Sequence, residues 1–302
     1  MLSIIISSAS NALLSQIKEN IQRTVGIPYE IIIFKNSTGL KGICELYNTG
    51  AIQAKYDILC FMHEDILFET LNWGQKVINI FKKNSNIGLL GVAGSTYKSL
   101  TPSSWAPPFA FDKTPWRINI KQSFKRKDCP EKYDYENPEN KEIERVACID
   151  GVWMCSRKEI ILEHRFDEDL LKGFHGYDID ISLTIHQKYA VCVTYEVLLK
   201  HFSEGNFENN WLMEIIKVHK KWLANLPINV EESIENGPLD LQEQEALHHF
   251  ILAIIPKSLL PVPLSVGYIH KLFLLKKIPF SIYVKSIKRI VKQKLIKTIS
   301  NR

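Results

Sequence analysis

The chain has 302 residues, 45% of them hydrophobic and 24% charged, with a formal net charge of +5 at pH 7. These values exclude a disordered, collagen-like or disulfide-stapled chain and leave one large globular domain, or a domain with an appendage. The charge is uneven: residues 246–302 carry eleven Lys/Arg and no acid, which leaves 27 of the 38 basic residues to set against all 33 acidic ones in the first 245.

That asymmetry points to a polyanionic partner for the C-terminal region. No signal peptide is evident, since Ser3–Ile6 is too short for its apolar core. No run of about 18 apolar residues predicts a spanning helix; the nearest, Phe250 to Val266, is broken by Pro256, Lys257, Pro261 and Pro263. The six cysteines (Cys44, Cys60, Cys129, Cys148, Cys155, Cys192) form no C-x-x-C pair and are expected as free thiols in a reducing cytosol.

In chain order, S-I-I-I-S-S (residues 3–8) predicts a buried strand opening into a loop. Leu13, Leu14, Ile17 and Ile21 have helical spacing across Asn11–Thr24, and Pro28 ends that helix. E-I-I-I-F (30–34) is a second strand, and residues 42–54 a second helix. Ile58 to Met62 is an apolar run suited to a strand buried on both faces. The first 65 residues therefore read β-α-β-α-β, the pattern of a parallel sheet with helical crossovers. An amphipathic helix over 72–83 and a buried strand over 88–93 follow.

Between about residues 95 and 145 the pattern dissolves into a proline- and aromatic-rich stretch. It includes Trp105, Phe124 and the basic knot Lys125-Arg126-Lys127. A loop region this long inside a domain is functional or disordered; its aromatics speak against disorder, leaving an insertion with some strand content that partly covers a site, or a packed surface excursion. Order returns with R-V-A-C-I-D-G-V-W-M-C-S (145–156), a short helix, and then F-D-E-D-L-L-K-G-F-H-G-Y-D-I-D-I-S-L (166–183), in which a Gly-punctuated loop turns into a helix. A last strand, 190–199, precedes Lys200-His201, and a helix is expected over 208–223.

Three polar clusters stand where loops are expected to leave one sheet: His63-Glu64-Asp65, Asp178/Asp180 and His201. Ligands of open α/β folds bind at the carboxyl edge of the strands, and oxygen and imidazole donors there suit Mg²⁺ or Mn²⁺ holding phosphates. Displacement of a nucleoside diphosphate needs that neutralisation and a carboxylate to take a proton from the attacking hydroxyl. Alternatives stay open for single residues: a structural histidine at 201, a core tryptophan at 153, helix-terminal carboxylates at 178 or 180.

Taken together, S-I-I-I-S-S, E-I-I-I-F-K-N-S, Y-N-T-G-A-I-Q-A-K-Y-D-I-L-C-F-M-H-E-D, I-D-G-V-W-M-C-S-R and G-Y-D-I-D-I-S-L resemble a glycosyltransferase of the GT-A fold. The likeness is to family 2 and its bacterial glycosyltransferase-like branch, over about residues 1–210. The resemblance implies a Rossmann-like α/β domain over 1–225 with a mostly parallel central sheet and flanking helices, followed by a C-terminal helical, basic appendage over 226–302. It implies Asp178 as the general base of an inverting transfer. Ser7, Ser8, Asn36, Glu64 and Asp65 would bind the nucleotide sugar, and Asp150, Gly151, Trp153 and Tyr177 would border sugar and acceptor. Asp65, His63 and His201 would hold Mn²⁺ or Mg²⁺. His175 and Asp180 would scaffold the Asp178 loop.

The chain departs from the family pattern in three places. His63 stands for the first Asp of Asp-x-Asp, Lys35-Asn36 for an acidic pair that reads uracil, and Tyr177 for the Glu before the base. Thymine and guanine therefore stay open beside uracil.

Val284, Ile287, Val291 and Leu295 recur at helical spacing among lysines, so the tail reads as a basic amphipathic helix for an anionic membrane surface; packing on the domain is the other reading. Nucleic acid is not expected as a partner, because stacking aromatics are sparse there. The expected enzyme moves a sugar to a surface-glycan or lipid-linked acceptor, in the cytoplasm at the inner face of the cell membrane. A nucleotidyltransferase sharing the nucleotide-binding half, which would not need Asp178, and a non-catalytic nucleotide- or glycan-binding protein are the alternatives.

Overall fold

The computed structural model describes residues 1–111, 113–123, 130–202, 209–231 and 239–300, with side chains as far as 293. Its elements open with β1 (Leu2–Ser8), α1 (Asn11–Thr24), β2 (Tyr29–Lys35), α2 (Ile43–Gln53), β3 (Ile58–Met62), β4 (Ile66–Phe68), α3 (Trp73–Lys83) and β5 (Ile87–Gly91). They continue with β6 (Ala93–Ser95), β7 (Tyr97–Lys98), β8 (Trp116–Gln122), β9 (Lys132–Glu136), β10 (Ile143–Val146), β11 (Cys148–Ile149), β12 (Trp153–Arg157), α4 (Lys158–Glu163) and α5 (Tyr177–His186). The C-terminal part holds β13 (Ala190–Thr194), β14 (Leu199–His201), α6 (Asn209–Trp222), β15 (Ile228–Asn229), α7 (Leu241–His249), a π-helical turn running into α8 (Ile255–Lys257), α9 (Val262–Leu274) and α10 (Phe280–Ser300).

A seven-stranded sheet in the order β10-β13-β5-β12-β3-β1-β2 forms the centre. Five strands run the same way; β10 and β12 run against them. Period-two alternation explains why the central strands are apolar without interruption. Ile5, Leu59 and Phe61 face the layer containing α2, α5 and α6. Their neighbours Ile4, Ile6, Cys60 and Met62 face the layer containing α1 and α3. Every one of these side chains is fully buried. The free thiols of Cys44, Cys60, Cys148, Cys155 and Cys192 are buried; Cys129 and the Lys125–Lys127 knot lie outside the described residues.

The proline- and aromatic-rich stretch does carry strands. They build a second sheet, β11-β6-β8-β14-β4, with β9 on β8. The expected strand over 190–199 is two strands, β13 in the first sheet and β14 in the second, because the chain crosses between sheets at residues 195–198. His201 is thus the last residue of a strand in the second sheet, where one loop edge had been expected.

The C-terminal helices share the domain's own core. Leu247, Ile251, Ile255, Ile269, Leu272 and Ile290 are buried in the same cluster as Tyr47 and Tyr177. The amphipathic face expected to meet a membrane is therefore redirected: Ile287 packs against the core, Ile290 is fully buried, and Val291 is 40% exposed. Leu295 lies beyond the described side chains. No described helix is long and apolar enough to cross a membrane.

Candidate active site

One cavity of about 930 Å³ opens at the ends of β1, β2 and β3. Its wall includes Ser7, Asn36, His63, Glu64, Asp65, Asp150, Gly151, Tyr177, Asp178 and His201. Ten of the twelve residues expected at the site are thus gathered from six separate stretches of chain. The volume suits a ligand of nucleotide-sugar size.

Ser8 and Trp153 are not on that wall, and both expectations are corrected. Trp153 is fully buried, edge-on to Trp73 at 6.2 Å and to Phe68 at 6.3 Å. It is core: as the first residue of β12 it points into the layer between the two sheets, away from the cavity. Ser8 is buried and its hydroxyl donates to Glu64 Oε2 at 2.6 Å. The other Glu64 oxygen accepts from the Ala9 and Ser10 N–H groups, each at 2.9 Å. Glu64 therefore closes the loop before α1, with its charge set at that helix's N-terminus. Its oxygens are engaged within the protein although it borders the cavity. Asn36 is likewise an internal clasp, donating to the Lys41 carbonyl at 2.8 Å while lining the wall.

The three residues that could hold a metal are brought together by strand pairing. β14 runs antiparallel to β4 with His201 opposite Ile66, and the Phe202 N–H donates to the Asp65 carbonyl at 2.9 Å. His201 Nε2 consequently lies 3.7 Å from Asp65 Oδ1, and His63 Nδ1 lies 3.7 Å from the same oxygen. One donor atom from each of the three residues falls within a 4.8 Å span. Donors on a shared ion with bonds of about 2.1 Å would be about 3 Å apart, so a small inward movement completes the set. The hydrogen-bond direction around His63 agrees. The Tyr177 hydroxyl donates to the Gly151 carbonyl at 3.2 Å, so its oxygen accepts from His63 Nε2–H at 2.8 Å. That fixes the tautomer and leaves the Nδ1 lone pair on the Asp65 side, where a metal would need it. Two imidazoles and one carboxylate make a donor set that a divalent ion could share.

Across the cavity, Asp178 sits in the first turn of α5, which Gly176 starts with φ +76°, a conformation glycine adopts without strain. Asp178 is half-buried. Desolvation, and next the Asp150 carboxylate beside it, push its pKa up to about 7, against the opposing pull of backbone N–H groups including that of Gly151. Asp150 itself is pinned: Oδ2 accepts from Trp105 Nε1 at 2.7 Å and Oδ1 from the Val152 N–H at 2.8 Å. Gly151 has no substitute here, since a Cβ would stand 2.3 Å from the Tyr177 hydroxyl. Asp180 points away and accepts from Lys221 at 2.9 Å and Trp222 at 2.7 Å, tying α5 to α6 as scaffold.

Sequence reasoning missed Trp105, Tyr47, Phe174 and Trp211, all on the wall. Tyr47 is the most telling. It is fully buried and its hydroxyl has no hydrogen-bond partner among the described residues, a debt that a ligand group can settle. The only signal for Trp105 was its place in the aromatic insertion. Tyr47, on an amphipathic helix, looked like core.

A family profile described as "Glycosyltransferase like family" matches residues 3–223. No curated protein matches the sequence. Over 97% of its length the chain is similar to 88% of a solved structure, S. aureus TarS 1–349 in complex with UDP, at 9% identity and a TM-score of 0.55. The same region of TarS with UDP-GlcNAc gives 10% identity, the same coverages and a TM-score of 0.50. GalNAc-T7 with UDP, GalNAc and Mn²⁺ gives 11% identity over 71% of this chain, with a TM-score of 0.48. The chain spans 47% of that last protein's length. At these identities the likeness is one of fold.

Proposed function

The chain belongs to this glycosyltransferase-like family, and from that premise we propose that it transfers a sugar from a nucleoside-diphosphate donor to a hydroxyl acceptor, with inversion at the sugar carbon. The observation that carries the reading is a single cavity with a His63–Asp65–His201 donor set on one wall and, on another, a carboxylate whose pKa stands at about 7. His63 Nδ1, Asp65 and His201 would hold the divalent ion, Mn²⁺ before Mg²⁺, and when bound it would neutralise charge on the departing diphosphate.

Asp178 takes the proton from the acceptor hydroxyl as the new glycosidic bond forms and the bond to the diphosphate breaks. A base poised near neutral pH is effective in that role. Asp150, held by Trp105, raises the basicity of Asp178 through its like charge and borders the acceptor. Ser7 and Asn36 flank the nucleoside, and Tyr47 offers its unpaired hydroxyl to the donor. The acceptor is a growing surface glycan or a lipid-linked saccharide, and the enzyme works as a peripheral protein on the cytoplasmic face of a membrane.

A thermal-shift screen of nucleoside-diphosphate sugars with and without Mn²⁺ tests the donor half, because a ligand that binds only the folded chain raises its melting temperature. A Mn²⁺-dependent shift by one or more donors is the expected result. If every donor leaves the melt unchanged, the reading fails. Asp178→Asn separates this chemistry from nucleotidyl transfer: the variant should bind donor and lose sugar transfer, and undiminished turnover would remove Asp178 from the role of base.

A further inference from the structure

The C-terminal region buries one side of each helix and leaves a different side apolar. On α9, Ser265, Tyr268, Ile269 and Leu272 are buried, and Lys271 Nζ ties the helix to the Lys220 carbonyl of α6. Another side carries Val262, His270 and Leu274, exposed and in one stripe along the helix with Val266, which itself packs partly against the core. Leu259 precedes the stripe and Phe280 follows it. Leu259 is 67% exposed, Leu274 63% and Phe280 65%. Phe280 is not on a swinging end: its ring lies 5.8 Å from that of Phe273, which stacks on Tyr283 at 4.7 Å. The adjoining helix α10 exposes Lys285, Lys288, Arg289 and Lys292, and the turn between the two helices exposes Lys276. Residues 246–302 contain no acid.

We propose that this α9 stripe, together with Phe280, is the surface by which the protein docks on an anionic lipid bilayer, with α9 lying in the plane of the interface. Exposed apolar side chains bordered by cations are the pattern an anionic interface satisfies on both counts, by burial of the first and attraction of the second. A second copy of the chain does not fit, because face-to-face pairing would bring two acid-free basic surfaces together. A nucleic acid would match the cations and leave Leu259, Val262 and Leu274 without a partner.

The stripe also begins beside the active site. The Leu259 N–H donates to Asn209 Oδ1 at 3.2 Å in the first turn of α6, and Trp211 and Ile215 of the same helix line the cavity. Docking through α9 therefore holds the cavity close to the bilayer, so the acceptor is membrane-borne. That last consequence rests on the transferase reading, whereas docking itself does not.

The test is co-sedimentation of the full chain with phosphatidylcholine vesicles, with and without phosphatidylglycerol. Wild type should sediment with the anionic vesicles and stay in solution with the neutral ones. Leu274→Ser/Phe280→Ser changes exposed positions only. It should keep its melting temperature and its donor-induced thermal shift while vesicle affinity falls about tenfold or more. Lys285→Gln/Lys288→Gln/Arg289→Gln should erase the preference for the anionic lipid. Three results would overturn the proposal: wild type remaining in solution with both vesicles, the Leu274/Phe280 variant binding like wild type, or a dimer in light scattering that this variant dissociates. A wild type that binds vesicles and no donor would instead count against the transferase reading.

Discussion

Asp178 illustrates how a candidate base sits against the stability of its own fold. Its pKa is raised to about 7 by burial and by Asp150, so the folded chain holds its proton more tightly than the unfolded chain does. Its contribution is complete below the unfolded value of about 4 and is lost as pH climbs through about 7. Asp178→Asn escapes that loss. At pH 8 the variant should melt higher, by about 1–2 kcal/mol once the open side of the carboxylate is allowed for. Its transfer rate should fall by about 10²–10⁴. In wild type the rate should rise with pH up to about 7 and level off, as measured by product formation at saturating donor. Tyr177→Phe tests the tautomer argument at the neighbouring position. Losing the acceptor for His63 Nε2–H should weaken Mn²⁺ binding about 10–100-fold by calorimetry, whereas equal affinity would mean that His63 is not a ligand through Nδ1. Tyr47→Phe removes a buried hydroxyl with no partner among the described residues, so the free protein should gain about 1 kcal/mol while donor affinity drops.

At the scale of elements, the site depends on how loops are tied rather than on the strands alone. Glu64 joins the β3–β4 turn to the loop before α1 through three hydrogen bonds. Glu64→Ala would strand the Ser8 hydroxyl and two N–H groups, and should cost about 2 kcal/mol or more in urea unfolding. The loop carrying Trp105 is held from a greater distance. Lys98, fully buried, donates to the Ser103 and Ser104 carbonyls at 2.9 and 2.8 Å. His219 of α6 meets the same loop, accepting from the Ser103 N–H at 3.4 Å, and burial holds its pKa well below the usual imidazole range. Glu243 of α7 accepts from Tyr97, Ser99 and Thr101. The wall that positions Asp150 is thus anchored by helices that follow Asp178 by 40 residues and more. In the sequence His219 looked ordinary, because nothing local marks a residue whose partner lies 116 positions away.

Across the whole molecule the same ties make the C-terminal region inseparable from the rest. Deleting 246–302 would expose sheet-side core and remove the fully buried Ile251, Ile255, Ile269, Leu272 and Ile290. Each such side chain contributes about 1.5–3 kcal/mol, against a total stability of about 5–15 kcal/mol for a domain. The truncated chain should therefore fail to give a cooperative melt and should be recovered as aggregate. A deletion that remained folded and bound donor would show the helices to be a true appendage. This is also why membrane binding is better probed by exposed point substitutions than by truncation.

The succession β1, α1, β2, α2, β3 and α3 and the burial of β1 and β3 were legible in the sequence, whereas β4 was not; Asp65, Asp178 and His201, candidates from the sequence, line one cavity. Periodicity and the end of an apolar run are local signals, and a sheet edge is where such ends must meet. Other features were settled only by the tertiary structure. Trp153, beside Asp150-Gly151, reads in sequence as a wall residue, and only the packing of Phe68 and Trp73 against it puts it in the core. Ser8 and Glu64 look like ligands until their mutual hydrogen bond is seen. The tail's pattern of apolar residues among lysines fits a membrane and a domain surface equally well. Contact with α6 and the core chose the buried faces and left the α9 stripe outside, because a helix can satisfy only one neighbour with each of its sides.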